Sequence, residues 1–358
     1  MFRAHLARTC YALGLFTLFS CSQAPDSEND VHADRARQQE GTEILFVSNQ
    51  DGDREIFTFD IHTRSLKQLT TNNRDDFDAK WSPNGEQIVF SSNRDGGNSD
   101  IYLMNADGSD QVNLSNHSGM DGYPNWSPDG KRIVFSSERS GSVEVFIQDL
   151  ESREIQQITN VSGHSAISPS WSPDGAMVVF TLYDESGKAT THLVDVETTE
   201  TWPVTSHPKI EDGTAAWSPD GNYLLYHSRR DRQLNIYIYD IITKIEAQLT
   251  DLATNDLAPA WSHDGQNIAF VSTRGDFART QVCTMNLDGS EQKCITDARY
   301  QSEEPTWLED DSGLLFTSWE GARVSNVFLY DSKTLEYAPL SPADGYQNNP
   351  APRPVPRS

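Results

Sequence analysis

Trp126-Ser127-Pro128-Asp129-Gly130 recurs unchanged as Trp171-Ser172-Pro173-Asp174-Gly175 and as Trp217-Ser218-Pro219-Asp220-Gly221. Trp81-Ser82-Pro83-Asn84-Gly85 and Trp261-Ser262-His263-Asp264-Gly265 each differ at one position, and Trp307 opens a decayed copy, Leu308-Glu309-Asp310-Asp311-Ser312-Gly313. The six tryptophans stand 45, 45, 46, 44 and 46 residues apart. A fixed period of this size, built from short β-type runs, is the signature of propeller blades. Trp suits a half-buried strand packed on a neighbouring sheet. Ser-Pro-Asp-Gly is turn chemistry: Pro presets φ, Asp bonds back to its own backbone, and Gly accepts the left-handed exit. The apolar runs that follow, such as Ile133-Val134-Phe135 and Met177-Val178-Val179-Phe180, are short, β-branched and bounded by Gly and Pro, which decides for strand over helix.

Three further strands complete each unit, and seven such sets close at Leu69-Thr70, Leu114-Ser115, Ile158-Thr159, Val204-Thr205, Leu249-Thr250, Ile295-Thr296 and Leu340-Ser341. The first set, from Glu43, lacks a Trp strand. The tail Gly345-Tyr346-Gln347-Asn348-Asn349-Pro350-Ala351-Pro352 resembles the approach to Trp elsewhere, with Pro352 at the Trp position. The sequence therefore predicts an all-β, seven-bladed propeller of four-stranded antiparallel blades, its ring closed by strands from both ends of the chain. A six-bladed ring is the alternative. The domain spans 43–352, with a tail over 353–358.

The repeat, running Leu-Thr, a polar loop, then Asp-x-x-Pro-x-Trp-Ser-Pro-Asp-Gly, resembles the TolB-type propeller repeat over residues 44–352. The resemblance implies the fold and says little about activity. TolB carries an α/β domain before its propeller, and the stretch between Cys21 and Glu43 leaves no room for one. Related repeats accompany prolyl-oligopeptidase-type hydrolase domains, whose Gly-x-Ser-x-Gly elbow does not occur here. Oligogalacturonate lyases also resemble this repeat type and use His-ligated metal.

Met1–Ser20 reads as a secretory signal, with Arg3 and Arg8 ahead of the apolar run Tyr11–Phe19. Leu18-Phe19-Ser20-Cys21 resembles a lipobox, which implies acylation of Cys21; the alternative is ordinary cleavage with Cys21 an incidental thiol. Ser22 after the Cys implies outer-membrane delivery under the enterobacterial sorting rule. Residues 21–42 are nearly devoid of apolar residues and read as a disordered tether. The net charge of −25 excludes nucleic acid as a partner and argues against a basic membrane-binding patch. Cys283 and Cys294 lie symmetrically about the turn Asp288-Gly289, which predicts a cross-strand disulfide in an exported chain.

Candidate binding residues fall on the loops entering the inner strands. An Asp stands five residues before Trp in four units, as Asp76, Asp121, Asp212 and Asp256, and is replaced by Ala166, Ser302 and Gln347 in the others. Asp78, Glu303 and Glu304 add carboxylates, and His117, His164 and His207 lie in the same loops. Arg94, Arg139, Arg229, Arg230 and Arg274 follow the second strands. A ring of carboxylates at a channel mouth would bind a divalent cation through oxygen ligands or a basic partner segment. Alternatively each Asp bonds its own loop or pairs with an Arg across blades, and recurrence in most units favours this structural role. Trp202 and Trp319, outside the repeat position, are candidates for exposed aromatics. No strained elbow or metal spacing singles out a catalytic set. The reading is a non-catalytic, lipid-anchored scaffold for envelope protein partners, without a resident cofactor; a carbohydrate-binding or metal-dependent polysaccharide-cleaving propeller is the alternative.

Overall fold

The computed structural model describes residues 43–161, 163–205, 211–213, 215–230, 232–274, 279–319, 324–340 and 345–355. The proposed signal, the tether, Cys21 and His207 lie outside these residues. The described residues form seven antiparallel sheets.

From inner to outer strand, blade one is Gln347–Pro352, Glu43–Ser48, Glu55–Asp60 and Ser65–Gln68. Blade two is Asp76–Trp81, Gln87–Ser92, Asp100–Asn105 and Val112–Asn113; blade three is Asp121–Trp126, Arg132–Ser137, Glu144–Asp149 and Ile155–Gln157. Blade four is Ser165–Trp171, Met177–Tyr183, Ala189–Asp195 and Thr201–Pro203. In blade five the inner strand is split into Glu211–Asp212 and Ala216–Trp217, followed by Tyr223–Arg230, Gln233–Asp240 and Glu246–Gln248. Blade six is Asp256–Trp261, Asn267–Ser272, Gln281–Asn286 and Lys293–Cys294, and blade seven is Ser302–Trp307, Gly313–Ser318, Asn326–Asp331 and Glu336–Pro339.

The ring closes as the sequence predicts. The C-terminal strand pairs antiparallel with the N-terminal one, Ile44 opposite Pro352 and Ser48 opposite Gln347. Pro350 and Pro352 are tolerated because this is an inner edge strand, where a missing N–H leaves no ladder partner unmatched. Gly345 and Tyr346 fold against the first hairpin, with the Tyr346 N–H on Asn49 Oδ1 at 2.8 Å.

The core lies between blades. Successive side chains of a strand face opposite sides of its sheet, and here both sides are covered. Ile88 and Phe90 pack toward Leu45 and Ile56 of blade one, whereas Val89 packs toward Trp126, Ile133 and Phe135 of blade three. The same division recurs round the ring, and Leu315 and Val327 of blade seven meet Ile44, Phe46 and Phe57 of blade one. Each fully buried aromatic or branched side chain contributes about 1.5–3 kcal/mol, so the blade interfaces hold most of the apolar stabilisation.

Trp adds a directional link. In five of the six repeats its indole N–H donates to the inner-strand carbonyl of the preceding blade: Trp126 to Lys80 at 3.2 Å, Trp217 to Ser170 at 3.2 Å, Trp261 to Ala216 at 3.1 Å, Trp307 to Ala260 at 3.3 Å and Trp81 to Ala351 at 3.4 Å; the buried indole nitrogen of Trp171 makes no such bond. The following turn is locked by its own polar groups. In Ser172–Gly175 the serine hydroxyl bonds Asp174 at 2.6 Å and accepts the Met177 N–H at 2.9 Å, and the Ser172 hydroxyl and the Ala176 N–H hold Asp174 below the usual carboxylate range. Gly130 closes the equivalent turn at φ +68°, the left-handed region that disfavours other residues.

The predicted disulfide is present. Cys283 and Cys294 are directly opposite across the third and outer strands of blade six and are bonded.

Candidate functional site

The recurring Asp sits at the start of the inner strand, opposite the end of the second strand: Asp76 faces Ser92, and Asp121 faces Ser137. An Arg two residues beyond that serine folds back onto the carboxylate. Arg94 Nη2 lies 2.7 Å from Asp76 Oδ2, Arg139 Nη2 3.0 Å from Asp121 Oδ2, and Arg274 Nη2 3.1 Å from Asp256 Oδ2. Each guanidinium also lies over aromatic rings, Arg139 being 5.0 Å from the Phe135 centroid and 5.1 Å from that of Phe146. The pairs form within a blade, not across blades, because the register brings the two loop ends of one hairpin together. All three Asp side chains are fully buried.

Blade five departs from this rule. Arg230 again lies over a ring, 3.8 Å from the Tyr237 centroid, but its Nη2 bonds Glu246 Oε2 at 2.6 Å. The Tyr226 hydroxyl bonds the same carboxylate. Asp212 is left with the Thr191 N–H at 3.3 Å and the Thr205 hydroxyl at 3.1 Å. Burial pushes its pKa up, and the Ser228, Thr191 and Thr205 hydrogen bonds offset only part of that.

The remaining candidates are scattered. Glu303 accepts from the Gln301 amide at 2.7 Å. Glu304 adopts φ +56° in the inner-strand bulge and accepts the Asn349 N–H of blade one at 2.8 Å. Asp78 occupies the same bulge position, φ +54°, in blade two. Burial raises both carboxyls, with the Lys80 ammonium opposing the shift in each case. His117 Nδ1 accepts the N–H of Gly119 at 2.9 Å in its own loop. His164 lies near His192, whose pKa burial and the His164 charge lower to about 4. Trp202 is half-buried against the core between blades four and five, and Trp319 is half-buried too, so neither is the exposed aromatic expected. Trp202 stands opposite Leu193 in the outer ladder of blade four, which sets its side chain against that core. Among the described residues the group with metal-ligand geometry is Asp51, Asp53 and Glu55, whose carboxylate oxygens lie within 4.8 Å of one another; it contains no histidine.

On the turn face, all seven blades contribute to one cavity of about 640 Å³. Pro83, Pro128, Pro173, Pro219 and Pro354 supply five positions of its wall, and His263 and Glu309 supply the other two. His263 Nε2 lies 3.3 Å from Glu309 Oε1 and Nδ1 lies 3.3 Å from Asp311 Oδ1. The two departures from the repeat compensate each other. With His in place of Pro, residue 263 has an N–H, and Asp311 accepts it at 2.7 Å together with the Asp264 N–H at 2.8 Å. Burial opposes protonation of His263, but Glu309 and Asp311 outweigh it and raise the pKa. Reading each Pro only as a turn former missed this wall. The deviations at the Pro position of the repeat, His263 and Glu309, are the sequence signal for it.

A putative TolB from Agrobacterium tumefaciens superposes with a TM-score of 0.51 at 25% identity, covering 69% of this chain and 95% of that one. An oligogalacturonate lyase in complex with manganese gives a TM-score of 0.66 at 19% identity, covering 84% of this chain and 88% of the lyase, a likeness of fold alone. The uncharacterized peptidase YuxL of Bacillus subtilis (strain 168) is 36% identical over 84 residues, 23% of this chain; the match spans only 12% of the peptidase's length. The sequence matches the TolB beta propeller domain family over residues 96–181 and 160–355, more than half its length. With the blade repeat, the closed ring and this match in agreement, the chain belongs to the TolB beta propeller domain family.

Proposed function

We propose that the protein is a non-catalytic lipoprotein of the bacterial envelope that uses the propeller as a scaffold for protein partners. In this reading it is exported, acylated at Cys21 and held at the outer membrane facing the periplasm. The observation that carries the binding role is the cavity on the turn face, walled by five prolines and one His–Glu couple. Prolines are already restricted before binding, so an entering segment costs little ordering of the wall. The wall offers apolar contact from its prolines and Trp126, with Ser82, Asn84, Gln87, Asp129 and the His263–Glu309 couple as polar groups to orient the guest, the pattern of a pre-formed binding site. The signal-like segment Met1–Ser20 supports an envelope setting.

The second reading is metal-dependent polysaccharide cleavage, favoured by the fold likeness to oligogalacturonate lyase and by the proximity of His164 and His192. A photoreactive residue at Asn84, on the cavity wall, and one at Ile242, 78% exposed and outside that wall, distinguish the two in cells. Discrete cross-linked protein bands from position 84 and none from 242 support the scaffold. Absence of such bands, with manganese-dependent cleavage of polygalacturonate by the purified protein, overturns it.

A further inference from the structure

We propose that Asp51, Asp53 and Glu55 form a calcium site on the first hairpin of blade one, independent of the scaffold reading. The three carboxylates alternate along the chain, with ligand oxygens within 4.8 Å of one another. Alternate acids in a tight loop, with Gly52 at φ +123°, supply hard oxygen ligands in the manner that calcium loops use.

Two observations beyond the clustering point to a ligand. Glu55 is 0% exposed, yet its Oε1 has no hydrogen-bond partner, and neither has the buried Oδ2 of Asp53. Buried carboxylate oxygens are mostly bonded, and at the position equivalent to Glu55 in blades two and three both oxygens are bonded. At the equivalent position Asp100 takes the Ser115 hydroxyl, the His117 N–H and the Asn113 amide at 3.0–3.2 Å. Glu144 takes the Thr159 hydroxyl at 2.6 Å, the Val161 N–H at 2.8 Å and the Ser142 hydroxyl at 3.2 Å. The other observation is the missing counter-charge. Arg54, inside the acidic run, is turned away: its N–H and guanidinium both bond Asp75 at 3.0 Å, and it lies 4.5 Å from the Phe77 centroid.

The exposed Asp51 leaves the remaining calcium positions open to water. Asp51 also receives the Gln68 amide at 2.6 Å, and Asn49 at the head of the loop bonds Tyr346 in the closing segment. A cation here would brace the blade in which the two ends of the chain meet.

The test is calorimetric titration of the full chain with CaCl2 after EDTA treatment, with MgCl2 in parallel, and melting curves with and without calcium. One saturable calcium per chain in the submillimolar-to-millimolar range typical of extracellular sites, with a calcium-dependent rise in Tm, is expected. Asp51→Asn and Asp53→Asn should abolish both, and Asp288→Asn, on an exposed turn of blade six, should leave both intact. Glu55→Gln should lose the calcium increment as well. No saturable calcium uptake by the unaltered protein, or uptake undiminished in the Asp51 and Asp53 variants, overturns the proposal.

Discussion

Asp121→Asn and Asp212→Asn change the same repeat position and should move stability in opposite directions. Asp121 is fully buried and paired with Arg139, whose side chain is 15% exposed and lies over Phe135 and Phe146. Removing one partner of a buried pair strands the other charge and costs about 3–5 kcal/mol. The partial exposure of Arg139 places this variant at about 3 kcal/mol, or roughly 6 °C of Tm at about 2 °C per kcal/mol for a domain of this size. Asp212 has no such partner, because Arg230 is bonded to Glu246. Its raised pKa means that ionisation disfavours the folded state. The penalty is absent below the ordinary aspartate value of 3.8, builds as pH rises toward the folded pKa, and is constant above it. The amide introduced by Asp212→Asn keeps an acceptor for Thr191 and Thr205 and offers Ser228 a donor. The Tm of Asp212→Asn relative to the unaltered protein should therefore be near zero in acid and positive at neutral pH. Melting curves from acid to mildly alkaline pH for both variants check this. A loss in Asp212→Asn equal to that in Asp121→Asn, or a difference that does not change with pH, would refute the reasoning.

His263 carries a pH dependence of the opposite kind. Its raised pKa contributes stability that is fully present below the ordinary histidine value of 6.5 and is lost as pH rises through the folded pKa, so the Tm deficit of His263→Gln should be larger at about pH 6 than at about pH 9. Cys283→Ser removes a bond closing a sequence separation of 11 residues, which chain entropy values at about 3 kcal/mol or less; reductant should lower the Tm of the unaltered protein toward that of the variant and leave the variant unmoved. Truncation after Gly345 removes the inner strand of blade one and exposes the Glu43–Ser48 edge, so light scattering should show concentration-dependent association that the intact chain lacks.

Much of the fold was legible because a repeat states its rules several times. Trp, Pro and Gly at a fixed spacing set strand, turn and exit locally, and the tail's likeness to the other inner strands, without their Trp, already implied closure by both chain ends. The cysteine pair was legible for the same reason: a two-strand hairpin is a local object, and symmetric spacing about its turn fixes which residues face each other. The candidate sites were less so. The recurrent Asp could be found in the sequence, but whether it met an Arg in its own blade or the next depended on hairpin register. The diversion of Arg230 to Glu246 depended on an outer strand further along the chain. No local pattern could show that Asp311 would accept the N–H that His263 gains by replacing Pro, because the two residues meet only when blades six and seven pack side by side.

Sequence alone therefore determined the blade repeat and the cysteine pairing, which follow from period and local geometry, and favoured the seven-bladed, end-closed ring over six blades, which the structure decided. Tertiary structure decided which charges are satisfied. It paired Asp76, Asp121 and Asp256, left Asp212 and Glu55 short of partners, and set one proline from each of five blades around a common cavity. The physical reason is that periodicity fixes where a side chain leaves the backbone. Its burial and its partners depend on strands tens or hundreds of residues away, brought alongside only when the ring closes.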